Sequence, residues 1–157
     1  MSSNPEHLFF STVSKFSRLY AKALSKRLDP YGVLPGYLEI LFRLWEQDNI
    51  TQKELHSQLD IEQATLSNTL KRMERDGLIL CTRNPADRRL TQIVLTDTGR
   101  EMQKVVLTAI DDLQATVNVG LTINDKKYFR RILKQMTGQV ESDLEESYLV
   151  LVDEVKD

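Results

Sequence analysis

Apolar residues along the 157-residue chain recur mostly at helical spacing and turn to strand-like alternation in one short region. Phe9, Val13, Phe16, Tyr20 and Ala23 follow one another at steps of four, three, four and three, which predicts one face of a helix from Leu8 to Leu28. Lys15, Arg18, Lys22 and Lys26 populate its other side. Asp29-Pro30-Tyr31-Gly32 ends it, because proline disfavours helix in the residue before it and glycine permits a turn. Pro35 suits the first turn of a second helix, whose stripe of Leu38, Leu41, Phe42 and Trp45 ends near Gln47.

Ile50 to Leu55 is a sharper signal. Thr51 followed by Glu54 has the spacing of a capping box, and Ile50 and Leu55 stand where a hydrophobic staple would place them. A short third helix, Gln52 to Gln58, is therefore predicted, then a tight Leu59-Asp60-Ile61 connection and a fourth helix from Gln63 to Arg75. Leu66, Leu70 and Met73 mark the inner side of that helix, and Gly77 stops it. Leu78 to Arg83 and Leu90 to Leu95 read as two strands joined by the loop Asn84 to Arg89. Thr96 caps a fifth helix, Asp97 to Val119, with Met102, Val106, Ala109, Leu113 and Val117 as its stripe. Thr122 and Asp125 open a last helix running to about Val155, with Val140, Leu144, Tyr148, Leu151 and Val155 on one side and a kink at Gly138, where helix propensity drops.

Composition changes this picture in three ways. Apolar content of 41% and charged content of 28% are ordinary for a soluble globular protein, and no apolar run reaches membrane-spanning length. The start, Met-Ser-Ser-Asn-Pro-Glu-His, lacks the features of a signal peptide, and the single cysteine, Cys81, makes no internal disulfide, so a cytoplasmic protein is expected. The net charge of −2 conceals a polarised chain: residues 62–100 carry seven bases and five acids, whereas residues 101–157 carry seven bases and eleven acids. The basic excess falls on the fourth helix and the hairpin, and the acidic C-terminal part is expected to point away from any polyanion.

A helix pair joined by a tight turn and followed by a hairpin with arginines at its tip is a combination suited to double-stranded DNA. On the fourth helix Gln63, Thr65, Ser67, Asn68 and Lys71 offer polar side chains, small near the start, to base edges. Arg72 and Arg75 are placed to hold phosphates. Arg88 and Arg89 at the loop tip suit a narrow minor groove, with Asp87 in support, its carboxylate expected to pair with a neighbouring arginine and fix its direction.

The run from Leu66 through Lys71-Arg72-Met73-Glu74-Arg75-Asp76-Gly77 to Ile79 resembles the recognition helix and first wing strand of MarR-type winged-helix regulators. Pro85-Ala86-Asp87-Arg88-Arg89 through Val94-Leu95-Thr96-Asp97-Thr98-Gly99-Arg100 resembles that family's wing and its exit into the fifth helix. The resemblance implies a homodimer with interlocked N- and C-terminal helices, a pseudo-palindromic operator, repression more often than activation, and release by a small aromatic or phenolic effector or by an oxidant. It also implies that Thr65, Ser67 and Asn68 face DNA and that Arg88 and Arg89 work the wing. Three positions depart from the pattern: Asp60 where glycine is common, Glu62 where a serine cap is common, and Asn68 where arginine is common.

The expected fold is mainly α with a small β component (α+β): a winged helix-turn-helix over residues 34–97, and a helical dimerisation region formed by both chain ends, residues 5–33 and 98–157. Phe16, Tyr20, Tyr37 and Trp45 are read first as core and second as the lining of an effector pocket. Cys81 is read as an inert packed thiol. His7 and His56 with one cysteine give no metal site, and no nucleophile-base pair or phosphate loop appears, so neither a cofactor nor an enzyme is expected. The competing readings are a winged-helix protein-interaction module and a ligand sensor, neither of which binds DNA.

Overall fold

The computed structural model describes residues 4–146. The first helix, α1 (Pro5–Leu28), begins three residues ahead of the expected start. The Asn4 side chain accepts a hydrogen bond from the Glu6 N–H, and Pro5 occupies the first turn, where its missing N–H costs nothing. Two short 3₁₀ turns, Asp29–Tyr31 and Pro35–Tyr37, lead into α2 (Leu38–Glu46). The succession then runs β1 (Ile50–Thr51), α3 (Gln52–Ser57), α4 (Gln63–Arg75), β2 (Ile79–Arg83), β3 (Thr91–Leu95), α5 (Asp97–Val117) and α6 (Ile123–Glu145). No helix among the described residues is long and apolar enough to cross a membrane.

The sheet has order β1-β3-β2 and is antiparallel throughout. Its outer strand β1 has no counterpart in the sequence pattern, since two residues show no periodicity. Ile50 lies opposite Ile93, Cys81 also opposite Ile93, and Ile79 opposite Leu95. Ile50, Ile79, Ile93 and Leu95 are all buried, so the inner side of the sheet joins the core. Leu38, Ile40, Leu41 and Leu44 of α2, Leu55 of α3, and Leu66, Leu70 and Met73 of α4 complete it. At about 1.5–3 kcal/mol for each fully buried aliphatic side chain, this cluster is the main source of stability of the lobe that α2 to β3 form.

Two glycines hold the lobe's geometry. Gly77, at φ +78°, lets α4 end with two hydrogen bonds that recapture its last carbonyls: Gly77 N–H to Glu74 and Leu78 N–H to Met73, both 3.0 Å. Gly99 allows α5 to lie directly on the Leu78 carbonyl; a Cβ there would run into that oxygen. Asp48 ties the same corner together. Its carboxylate accepts from the backbone N–H groups of Asn49 and Leu95 at 2.8 Å and from the Arg100 guanidinium at 3.1 Å.

The chain divides into two compact units, with the boundary after Gln114. In the first, α1 buries Leu24 and Leu28 at its C-terminal end, and Arg27 meets Asp112 of α5 at 2.7 Å. Of the expected stripe, Phe9, Val13 and Phe16 are exposed, as are Leu8, Phe10 and Leu19 beside it, while Tyr20 and Ala23 are half-buried. The α5 stripe behaves as expected, with Val106, Ala109 and Leu113 buried.

In the second unit, α6 starts with the expected capping box. The Thr122 hydroxyl accepts from the Asp125 N–H at 3.1 Å, and the Asp125 carboxylate accepts from the Thr122 N–H at 2.8 Å. The helix runs unbroken through Gly138: one glycine lowers propensity without removing a backbone hydrogen bond. None of its described residues is buried, and Ile123, Phe129, Ile132, Leu133, Met136, Val140 and Leu144 face solvent. Tyr148, Leu151 and Val155 lie outside the described residues.

Candidate nucleic-acid interface

The helix pair is held from its first residue. The Thr51 hydroxyl accepts from the Glu54 N–H at 3.1 Å, and the Glu54 carboxylate accepts from the Thr51 N–H at 2.8 Å. Those donors, the Thr51 backbone first and its hydroxyl second, hold the Glu54 carboxyl below its ordinary range. Gln52 donates through Nε2 to the Ser67 hydroxyl oxygen at 2.8 Å, which ties the start of α3 to the middle of α4. His56 closes the turn, its Nε2 lying 2.9 Å from the Ile61 carbonyl. Because a carbonyl only accepts, that ring nitrogen carries the proton.

On α4 the inner and outer faces separate cleanly. Leu66, Leu70 and Met73 are buried, while Gln63, Thr65, Asn68, Lys71 and Arg72 are exposed. Ser67 is half-buried, and the hydrogen bond from Gln52 occupies part of its accepting capacity, so its hydroxyl proton is what it can still offer outward. Lys71 and Arg72 make no ion pair among the described residues. Arg75 does: its Nε lies 3.0 Å from Asp76, which also accepts from the Tyr37 hydroxyl at 2.6 Å. The Tyr37 hydroxyl and then Arg75 hold the Asp76 carboxyl low, and burial with the adjacent Asp76 pushes the Tyr37 hydroxyl up to about 12.

The hairpin carries its arginines on an organised loop. Asn84 N–H donates to the Leu90 carbonyl at 2.9 Å and closes the ladder. The Asn84 side chain accepts from Ala86 N–H at 2.8 Å, forming a local turn. The role expected for Asp87 needs correction. Its carboxylate accepts the backbone N–H of Arg89 at 3.0 Å, not a guanidinium, while its carbonyl accepts from Leu90 N–H. A side chain two residues before a backbone donor reaches it with little loss of rotamer freedom, whereas a flexible arginine would have to be immobilised. Asp87 thus shapes the loop and leaves the Arg88 and Arg89 side chains in solvent, with no ion pair among the described residues.

The two arginines border different hollows. Arg88 stands with Arg83, Asn84 and Pro85 on the outer side of the loop. Arg89 and Gln63 meet on the inner side, around an open hollow also bordered by Gln52, Lys53 and His56. Sequence reasoning missed Lys53 and His56, because their relation to the hairpin exists only once the chain is folded.

Cys81 is half-buried, and burial followed by the nearby Glu74 carboxylate pushes its thiol up to about 11. Glu74 accepts the Cys81 backbone N–H at 2.8 Å. The thiol is therefore poorly disposed to become a nucleophile near neutral pH. The four aromatic residues named as a second reading for an effector pocket occupy different settings. Phe16 and Tyr20 pack on each other along α1 with ring centroids 5.7 Å apart. Tyr37 is buried and bonded to Asp76, and Trp45 donates through Nε1 to the Gly99 carbonyl at 2.9 Å.

Residues 35–91, the stretch that holds α2, the helix pair and the hairpin loop, match the MarR family model. The HTH-type transcriptional regulator TtmR of Methylorubrum extorquens is 30% identical over 133 residues, which is 83% of this chain and 64% of TtmR. The organic hydroperoxide resistance transcriptional regulator of Bacillus subtilis is 36% identical over 92 residues, 59% of this chain and 60% of that protein. The chain thus spans less than two thirds of the length of either relative. The solved structure of reduced AbfR bound to DNA superposes with a TM-score of 0.71 at 29% identity, covering 90% of this chain and 94% of that one. By the order of its elements and by these likenesses, residues 35–91 of this chain form a MarR-family domain.

Proposed function

We propose that this protein is a transcriptional regulator that binds double-stranded DNA in a sequence-specific way, with residues 34–97 as its reading lobe. The observation that carries this reading is the placement on one lobe of two sets of polar groups and of cations that make no ion pair among the described residues. Gln63, Thr65, Asn68, Lys71 and Arg72 stand outward on α4, and Arg88 and Arg89 stand outward on the hairpin. A polar helix face reads base edges in the major groove, and arginines on a loop reach a neighbouring minor groove. The likeness to AbfR, solved on DNA, supports the same reading.

The reading includes a homodimer. The exposed apolar residues of α1 and α6 are too many for a solvent-facing surface and suit contact with a second copy. The charge order along α6 supports this as well. Lys126, Lys127, Arg130, Arg131 and Lys134 fill its first half, and Glu141, Asp143, Glu145 and Glu146 its end. That order opposes the helix macrodipole and so does nothing for the isolated helix. An antiparallel copy of the same helix lays the basic half of one against the acidic half of the other. A two-fold dimer then presents two α4 helices to half-sites roughly 34 Å apart, which calls for an inverted repeat.

Selection of bound fragments from random duplexes tests both parts. The expected product is an inverted repeat bound with strongly salt-dependent affinity. Arg88→Ala with Arg89→Ala is expected to weaken that binding on the order of 100-fold while sedimentation still gives a dimer. Recovery of no preferred sequence, or affinity indifferent to the double substitution, would sink the reading.

A further inference from the structure

The hollow on the inner side of the hairpin has a composition that the proposed function does not yet use. It has a volume of about 510 Å³, and Gln52, Lys53, His56, Gln63, Arg89 and Thr91 border it. Two of these are cations, Lys53 and Arg89, and neither makes an ion pair among the described residues. No carboxylate lines the hollow. The neighbouring acid on α3, Glu54, is turned to the Thr51 cap, where it accepts from both the N–H and the hydroxyl at 2.8 Å. The walls are also fixed. Gln52 is bonded to Ser67 on α4, and His56 to the carbonyl of Ile61 in the turn.

A positively charged, open and stiff hollow suits a small anion that arrives from solvent as part of something larger. Its walls come from α3, from the first residue of α4 and from the start of β3. Whatever lies there passes between the helix that reads one groove and the loop that approaches the next. On a duplex, only the sugar-phosphate strand separating two grooves has that course.

We propose that this hollow seats one backbone phosphate of the bound duplex, with Lys53 as the cation that holds it. The inference rests on the duplex-binding reading and adds to it a residue outside both the reading helix and the hairpin. The contact is to phosphate, so it fixes the register of the lobe on DNA without selecting a base.

The test uses the full-length protein and a duplex recovered by selection. Affinity is measured against salt concentration for the wild type, Lys53→Ala and Lys53→Arg. Lys53 is exposed, so its removal leaves the buried core untouched. Lys53→Ala is expected to make the slope of log affinity against log salt shallower by about 0.9, the value for one lost phosphate contact. It should weaken cognate and scrambled duplexes by the same factor, and Lys53→Arg should restore the slope. Neutral methylphosphonates scanned one at a time along the duplex should include a position that weakens the wild type and has no further effect on Lys53→Ala. A wild type that binds with an Ala variant of unchanged slope removes the seat and leaves the duplex reading standing. A wild type that binds no duplex removes both.

Discussion

The reading lobe and the terminal helices apply the same amphipathic pattern to opposite ends. From α2 to β3 most strongly apolar side chains are inside, with Leu41, Leu44, Leu55, Leu66, Met73, Ile79 and Ile93 fully buried and Leu80 exposed. On α6 the pattern is equally regular and no described side chain is buried. On α1 only Leu24 and Leu28 are, and the aromatic residues toward its start are in solvent. Periodicity shows that a helix has an apolar face; whether its own chain covers that face depends on what the rest of the fold brings against it. The lobe closes on itself and turns its polar side outward, whereas α1 and α6 leave much of their apolar sides uncovered by the described residues.

The largest effect that would sharpen this contrast comes from charging the α6 face. Phe129→Glu combined with Ile132→Glu places two carboxylates on exposed apolar ground without touching the lobe's core. The expected outcome is a monomer by sedimentation with an unchanged far-ultraviolet spectrum. Loss of the second tethered reading lobe should weaken binding to a two-half-site duplex by on the order of 100-fold or more. A dimer that survives both substitutions would mean that α6 is not part of the pairing surface.

Within the lobe the corresponding break is Gly99→Ala. The new methyl group meets the Leu78 carbonyl, so α5 must move off the base of the hairpin, and Trp45 loses the position from which it donates to the Gly99 carbonyl. A loss of about 1–3 kcal/mol in unfolding free energy is expected, the usual range for overpacking a close contact. Chemical denaturation measures it. No loss would mean that the α5 approach is loose, and that the lobe is less tightly closed than its buried side chains indicate.

Gly99 also marks where the sequence stops being readable. The capping boxes at Thr51 and Thr122, the span of α4 and both hairpin strands were legible because each is a local signal with partners within a few residues. The resemblance of the runs ending in Ile79 and Arg100 pointed to the family from sequence alone. The glycine's reason for being there is a carbonyl 21 residues earlier, and that of Asp48 is an N–H 47 residues later at Leu95. The strand β1 was invisible because its pairing with β3 is the only thing that makes it a strand. In the candidate interface, Gln63 and Arg89 could each be named from type and position, but Lys53 could not, since nothing along the chain connects it to the hairpin. The expected Asp87–guanidinium bond is instead a bond to the Arg89 N–H, because sequence identifies charges more readily than backbone donors.

The smallest effect lies at the junction between the closed core and the outward face. Tyr37 is buried at the start of α2, and its hydroxyl donates to Asp76 at the end of α4, beside Arg75. Only the protonated phenol makes that bond, and burial adds to the preference, which is why its pKa rises from 10.0 to about 12. A group whose pKa is raised by folding stabilises the native state fully below its unfolded value, and that contribution fades as pH climbs through the folded value. Tyr37→Phe removes the bond at every pH, so at neutral pH the wild type should be more stable by about 1 kcal/mol, the typical worth of one hydrogen bond. The gap should hold up to about pH 10 and narrow between about pH 10 and 12, where unfolding gives the tyrosine freedom to ionise. Every other group is common to both proteins, so its contribution cancels from the difference. A gap unchanged from pH 8 to pH 12 would show that the phenol-carboxylate bond does not fasten the reading helix to the core.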